Sequence, residues 1–408
     1  MKTRMTELLG IKYPIMQGGM QHLGVPELAA AVSEAGGLGT INVTIYPDPE
    51  DLRKAIKEVK AKTDKPFAVN ISLIPSLHPG QELFDQVKVI LEEGVTAVET
   101  AGASPQELAD VLNAHKDQVK WIHKAACVKH AKKAESMGAD LITMAGFEVA
   151  GHPHTDGVGT MVLANRTARE VKVPVLAAGG IADGRGLLAA LSLGCEGVVM
   201  GTRFVASKEC WISENHKNWI VNANENQTVL CQKSIKNMVR VANNEAARKC
   251  LELEAKGATL QELMPVISGK LGKAAYADGN VDGGMFAVGP AAGLIHDVES
   301  CKEIIDSIMA EAEEGLKRLN NNGALKAWYE NRDNGLSCIA PSNPTYTSAE
   351  ALRTVIKALD GEDVPKNVVM DIETVTEDNL EDYYRPDMPD SFWVLTELDD
   401  EALQKLYK

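Results

Sequence analysis

The chain has 408 residues, 45% of them hydrophobic, enough to bury a sizeable core without disulfide staples. A formal net charge of -15 and a pI near 5.2 exclude a long-range attraction for nucleic acid or an anionic membrane, since no basic stripe offsets the surplus. Seven widely spaced cysteines form no C-x-x-C pair, MKTRMTELLGIKYPI has no signal-peptide core and no stretch is long enough to span a bilayer, so a cytoplasmic, small-molecule protein with reduced thiols is expected.

From residue 13 to about 205 one unit recurs eight times: a short apolar run, a glycine or polar loop, then an amphipathic helix. The runs are Pro14–Gln17, Leu38–Val43, Phe67–Leu73, Ala97–Ala101, Val119–His123, Asp140–Met144, Pro174–Ala178 and Gly197–Met200. Most are continuously apolar, as strands covered on both faces of a parallel sheet must be. After Pro26, a helix face recurs at Leu28, Ala31, Val32 and Ala35 and closes at Gly36-Gly37. Ser104-Pro105-Gln106-Glu107 predicts a capping box with proline at the first helical position, and Leu108, Val111 and Leu112 mark the buried face. Eight right-handed units close into a (β/α)8 TIM barrel; an open doubly wound sheet is the alternative, with fewer strands and one switch point.

In a barrel, reacting groups belong in the loops after the strands, and a phosphate belongs after strands seven and eight. Gln17-Gly18-Gly19-Met20 follows strand one, Asn70 closes strand three, and Lys124 follows strand five. These groups would offer a flat heterocycle an amide donor and a cation, although Lys124 also reads as a snorkelling surface lysine. After strand six comes MAGFEVAGHPHTDGVGT, whose glycines let the backbone wrap a planar ligand. Position alone leaves His152 open as a general base or as a solvated loop histidine bonded to backbone. His154 should face the opposite way, and Glu148 and Asp156 read as loop-ordering acceptors. A metal site from His152, His154 and Asp156 would lack a second ligand cluster. No cysteine lies between residues 128 and 194, which disfavours a cysteine nucleophile after strand six of the kind used in purine nucleotide oxidation.

Strand seven runs into Ala178-Gly179-Gly180-Ile181-Ala182-Asp183-Gly184, with a helix expected near Arg185, and strand eight runs into Met200-Gly201-Thr202-Arg203. Together these turns predict a phosphate site of a cofactor or a phosphorylated substrate. Residues 211–299 are expected to be a mainly helical insertion acting as a lid, with Met285, Phe286 and Val288 as an apolar wall or as ordinary core. The barrel then comprises 1–210 and 300–322, its final helix carrying Ile304, Ile305, Ile308 and Ala312.

Residues 325–408 hold 18 acidic and 8 basic side chains and form an acidic C-terminal extension. One amphipathic helix at Ala349–Leu359 and one strand near Val368–Ile372 are too little for a self-sufficient core. NPTYTSAEALRTVIKALDGEDVPKNVVMDIETVTEDN locally resembles the last helix and strand of periplasmic sugar-binding proteins, without the two lobes that sugar binding needs.

Over residues 1–320 the ordered motifs PIMQGGM, AVNISL, HKAACVKHAKKAESMGAD, GFEVAGHP, AAGGIADGRGLLAALSLGCEGVVMGTRFVASKEC and GPAAGLIHD resemble the nitronate monooxygenase family, formerly 2-nitropropane dioxygenases. The resemblance implies an FMN-containing barrel that oxidises alkyl nitronates with molecular oxygen and needs no NAD(P)H. It implies His152 as the catalytic base and Gly179, Gly180, Met200, Gly201 and Thr202 as the FMN phosphate site. Asn70, Lys124 and the Gln17, Gly18, Gly19, Met20 turn would contact the ring or ribityl chain, with Ala150 and Gly151 in the wrapping loop. The chain departs from the family at Ala145, where an acid is common, at His154, where glycine is common, and at His22, where an aromatic residue is common. The alternatives are an FMN- and NADH-dependent enoyl-thioester reductase and a flavin-binding protein without this activity. The partners expected are a nitronate or nitroalkane and oxygen, leaving a homodimer open, with neither nucleic acid nor membrane.

Overall fold

The computed structural model describes residues 1–73, 80–318, 340–341, 374–376 and 378–387. It divides into two compact units, Thr3–Ala310 and Met1–Lys2 with Glu311–Lys408.

In the larger unit, α1 (Arg4–Leu9) precedes eight strand and helix units. The strands are β1 (Ile15–Gln17), β2 (Gly39–Asn42), β3 (Phe67–Leu73), β4 (Ala97–Gly102), β5 (Lys120–Ala125), β6 (Leu141–Ala145), β7 (Val175–Ala178) and β8 (Gly197–Met200). Between them run α2 (Pro26–Glu34), α3 (Pro49–Lys62), α4 (Gly80–Glu92), α5 (Gln106–Ala114), α6 (Val128–Ser136), α7 (Thr160–Glu170) and α8 (Gly184–Ser192). All eight strands are parallel in the order β1-β8-β7-β6-β5-β4-β3-β2, and a parallel bridge between Met16 and Leu38 closes the ring. The expected (β/α)8 barrel is therefore the fold, and the open sheet is excluded.

Side chains alternate along a strand, so the barrel interior is built in layers. Met16, Leu38, Ala68, Ala97, Ile122, Leu141, Leu176 and Val199 belong to one buried apolar cluster. Two positions further along β3 to β6, the same face presents Asn70, Glu99, Lys124 and Thr143. The apolar floor thus gives way to a polar layer at the C-terminal ends of the strands.

Two local expectations fail. Helix α5 starts at Gln106 without a side-chain cap, because Leu108 N–H bonds back to the Pro105 carbonyl at 3.0 Å in a tighter first turn that leaves Ser104 outside. Lys124 lies within β5 rather than after it.

After β8 come α9 (Thr202–Val205), α10 (Glu214–Asn222), an antiparallel pair of β9 (Thr228–Cys231) with β10 (Val239–Ala242), then α11 (Glu245–Ala255), α12 (Leu260–Ile267), α13 (Gly269–Asp278) and α14 (Cys301–Arg318). The hairpin has its own apolar cluster of Cys231, Val239, Val241, Ala247, Cys250 and Leu263. Phe286 and Val288 are buried, and Phe286 stands edge-on to His216, Trp219 and Tyr276, so these two are core. Ile304, Ile305 and Ile308 of α14 are buried as expected.

In the smaller unit, β11 (Ala340–Pro341) pairs antiparallel with β12 (Thr374–Val375), and α15 (Leu380–Tyr383) follows. The helix at 349–359 and the strand at 368–372 lie outside the described residues. Among those described, no helix is long and apolar enough to cross a membrane.

Candidate active site

The loop after β6 is fastened on three sides. The Glu148 carboxylate accepts from Thr160 N–H at 2.8 Å and from Thr160 Oγ1 at 2.9 Å, tying the loop to the start of α7. Phe147 N–H donates to the Val158 carbonyl at 3.0 Å across its neck. From the insertion, Arg240 of β10 exchanges backbone hydrogen bonds with Gly151, at 3.0 Å and 2.6 Å. These ties leave His152 at a fixed point on the rim.

The His152 side chain is exposed to solvent, with enough protein around it to desolvate the ring in part. That partial burial, and then the nearby Lys124 ammonium, hold its pKa below the ordinary histidine value, while the Asn237 side chain acts the other way. The ring is consequently neutral near pH 7. His154 turns elsewhere: its ring stands edge-on to His130 of α6 at 6.1 Å, and its Nδ1 lies 3.2 Å from the Asp156 carboxylate.

Beneath the mouth lies the polar layer. Asn42 Nδ2 donates to Asn70 Oδ1 at 2.8 Å, and Asn70 Nδ2 donates to Glu99 Oε2 at 2.6 Å. Glu99 is 1% exposed, and its other oxygen, like the hydroxyls of Thr40 and Thr143, has no partner among the described residues. Burial pushes the Glu99 carboxyl above its usual range, opposed by Lys124, by Asn70 and by the Gly19 N–H. Gln17, expected near the ring, instead spends its amide on backbone: Oε1 accepts from Thr40 N–H at 2.8 Å and Nε2 donates to the Gly18 carbonyl. It closes the barrel rather than facing a ligand.

Around the mouth, Gly179 and Gly180 take φ of 105° and 74°, left-handed backbone that only glycine adopts freely. The N–H groups of Gly180, Gly201 and Thr202 find no protein acceptor among the described residues. A Cβ on Gly179 would meet Thr160 Oγ1 and Val149, and one on Gly289 would meet the Glu148 carbonyl, so the turns close tightly against the loop after β6. Two expected contributors are already committed. Helix α8 starts at Gly184, and its first turn is capped by Asp183, which accepts from Gly186 N–H at 2.7 Å. The Arg203 guanidinium pairs with Asp297 at 2.6 Å and Glu299 at 3.1 Å. Met200 contributes its carbonyl, which accepts from Gly18 N–H at 3.0 Å. His22 sits at φ 65°, its carbonyl held by the Trp211 indole at 2.8 Å.

The barrel mouth therefore joins unpaired backbone donors, a buried acid, a lysine and a neutral imidazole. The sequence profile of the nitronate monooxygenase family matches residues 2–311. The chain belongs to that family. Membership makes it a flavin-dependent oxidoreductase. It is similar to the probable nitronate monooxygenase of Staphylococcus saprophyticus, at 35% identity over 62% of this chain and 82% of that one. It is also similar to the (3aS,4S,5R,7aS)-5-hydroxy-7a-methyl-1-oxo-octahydro-1H-indene-4-carboxyl-CoA dehydrogenase of Rhodococcus jostii, at 34% identity over 80% of this chain and 99% of that one. Among solved structures, FabK from Thermotoga maritima is 42% identical over 78% of this chain and 98% of that chain, with a TM-score of 0.73. The family match ends before the acidic tail, and the tail's resemblance to sugar-binding proteins finds no support in the comparisons.

Three residues around the barrel mouth escaped the sequence patterns: Glu99, Asn237 and Arg240. Glu99 alone carried a signal, a charge inside the otherwise apolar strand AVETAG.

Proposed function

We propose that the chain binds FMN at the barrel mouth and oxidises alkyl nitronates and nitroalkanes with molecular oxygen, His152 serving as the general base. The observation that carries this reading is the place of His152: solvent-exposed on the loop after β6, near Lys124 of β5, with its pKa held below the ordinary histidine value. A neutral imidazole accepts a proton, and the ammonium favours the anion that the lost proton leaves behind.

The residues present fit the cofactor. The unpaired N–H groups of Gly180, Gly201 and Thr202, with Gly179 as the turn that presents them, suit a phosphate. Gly18, Gly19 and Met20, with Asn70 and Lys124 below them, suit the ring and ribityl chain, and Ala150 and Gly151 border the same space. Open space in front of Gly151, where a Cβ would meet nothing within 4 Å, leaves room for a flat ligand. When bound, FMN supplies the two-electron acceptor that oxygen can reoxidise. His152 would take the proton α to the nitro group, Lys124 would hold the nitronate oxygens, and the insertion would act as a lid by carrying β10 against the catalytic loop.

A second reading is reduction of an enoyl thioester with NADH. Its support is the 42% identity to FabK, an enoyl-ACP reductase. Protonating the α carbon there would require an imidazolium, which the lowered pKa of His152 disfavours near neutral pH. The two readings separate on the purified yellow protein by comparing oxygen uptake with a nitronate against anaerobic NADH oxidation with an enoyl thioester. Nitronate-dependent uptake supports the first; thioester reduction alone selects the second. Replacing His152 by alanine should slow turnover of the neutral nitroalkane by about 10² to 10⁴ and spare the preformed anion.

A further inference from the structure

The side-chain amides beneath the mouth have a direction, and a backbone group sets it. Thr44 N–H donates to Asn42 Oδ1 at 2.9 Å, and since a backbone N–H can only donate, Asn42 must turn its Nδ2 the other way. That Nδ2 donates to Asn70 Oδ1 at 2.8 Å, which Ser72 Oγ also reaches at 3.3 Å. Asn70 is left to offer its Nδ2 to Glu99 Oε2, at 2.6 Å. Side chains from β2, β3 and β4 thus form one chain of donors running from Thr44 to a carboxylate, with each amide orientation determined. Asn42, Asn70 and Glu99 are each at most 2% exposed, so bulk water offers no alternative partner.

The consequence falls on Asn70. Its Nδ2 carries two hydrogens: one goes to Glu99, and the other has no acceptor among the described residues. This nitrogen lies against the turn after β1, where a Cβ built on Gly19 would stand 2.6 Å from it. Half a turn of the amide would put an oxygen where the spare N–H now stands, and the donor on Asn42 and the acceptor on Glu99 both oppose it. We propose that Glu99 and Asn42 are positioning residues: they lock Asn70 so that it presents an N–H, never an oxygen, to the flavin. The inference rests on the reading of the mouth as the FMN site and names what one side of that site offers the cofactor. An N–H favours the negative charge that a flavin takes on when reduced, in the same sense as the Lys124 ammonium of β5.

The test reverses the chain without breaking it. In the double variant Asn42→Asp with Glu99→Gln, Thr44 N–H still finds an oxygen, Asn70 Nδ2 turns to the new carboxylate at 42, and Asn70 Oδ1 accepts from the new amide at 99. Asn42→Asp alone sets two acceptors face to face and should destabilise the full-length protein in urea, and adding Glu99→Gln should recover more than that substitution gains by itself. FMN returned to the apoprotein should bind the double variant about tenfold more weakly than the wild type, the size of one lost hydrogen bond, and the reduction potential of the bound flavin should fall. The side-chain amide protons of Asn70, assigned in NMR spectra by their absence in Asn70→Ala, should shift on FMN addition in the wild type and not in the double variant. Moving the charge from 99 to 42 does not mimic that last readout. Recovered stability with wild-type FMN affinity and the same amide response overturns the proposal, and so do stability effects that simply add. A wild-type protein that takes up no FMN removes the flavin reading and this one with it, whereas FMN uptake indifferent to the variants removes only this one.

Discussion

The Arg240 guanidinium covers Phe147 in two ways: its Nη2 donates to the Phe147 carbonyl at 3.1 Å, and its central carbon lies 5.0 Å from the ring centre. Its Nη1 donates to Thr228 Oγ1 at 3.1 Å, so one side chain ties β9, β10 and the loop after β6 together. Arg240→Ala should cost about 2 kcal/mol, because it removes charged hydrogen bonds and a cation–π interaction at a buried position. Urea unfolding measures that cost, and amide hydrogen exchange across residues 147–158 should accelerate. Lysine should not rescue, because it lacks the fork that reaches two acceptors. Unaltered exchange in the loop would show that the backbone pair at Gly151 suffices.

His123 gives the fold an acid-sensitive point away from the proposed chemistry. Its Nδ1 lies 2.9 Å from the Thr100 hydroxyl, which also accepts from the Trp121 indole at 2.8 Å. Burial, with a smaller contribution from His130, lowers the imidazole from 6.5 to about 4. The unfolded chain therefore takes up a proton near pH 6.5 that the native state refuses until about pH 4. Stability from this group is intact above pH 6.5 and declines as pH falls through that window, by about 2 kcal/mol at pH 5. His123→Gln should remove that share of the loss between pH 7.5 and pH 5 in denaturant titrations. An equal loss in the variant would place the acid sensitivity in other lowered histidines, such as His216.

The parts of this molecule legible in its sequence are those where one local pattern has one physical cause. A strand covered on both faces reads as an unbroken apolar run, so the expected strands fall within two residues of β1 to β8. The glycine turn at 179–180 reads clearly because left-handed backbone selects glycine. The hairpin was hidden for the opposite reason: its turn puts Gln232 and Lys236 where glycine would have announced it. Arg240 reaches the loop after β6 only through that hairpin, a tertiary relation with no local trace. Glu99 showed only as a lone charge in an apolar strand, and Gln17 and Arg203 were visible while their partners, Thr40 and Asp297, were not.

Glu99 carries a pH dependence of opposite sign to that of His123. Its pKa is raised in the folded state, so the native protein holds this proton after the unfolded chain has released it. Its contribution to stability is therefore greatest at low pH and is lost as pH rises past the ordinary carboxylate range. Glu99→Gln, which keeps an oxygen for Asn70 and Gly19, should gain stability relative to the wild type as pH rises from 4 to 8. Thermal unfolding at several pH values reads this directly. A gap that shrinks with rising pH would mean that Lys124 holds the carboxylate ionised more strongly than burial opposes it.

Two glycines at the mouth should fail in different ways when given a methyl group. A Cβ on Gly19 would overlap the Asn70 side chain, and the Gly19 N–H is close enough to Glu99 to lower its pKa. Gly19→Ala should therefore disturb the polar layer and reduce the flavin retained on purification. Gly151 stands at φ 73° with nothing within 4 Å of the added carbon, so alanine there meets no neighbour and costs about 1–2 kcal/mol of backbone strain. Flavin should remain bound in Gly151→Ala, while the methyl group enters the recess and raises KM for bulky nitroalkanes more than for small ones. The flavin-to-protein absorbance ratio and a substrate size series distinguish these outcomes. Full flavin in Gly19→Ala would free Asn70 of its assigned place under the ring, and equal KM effects on all substrates in Gly151→Ala would place the substrate elsewhere in the recess.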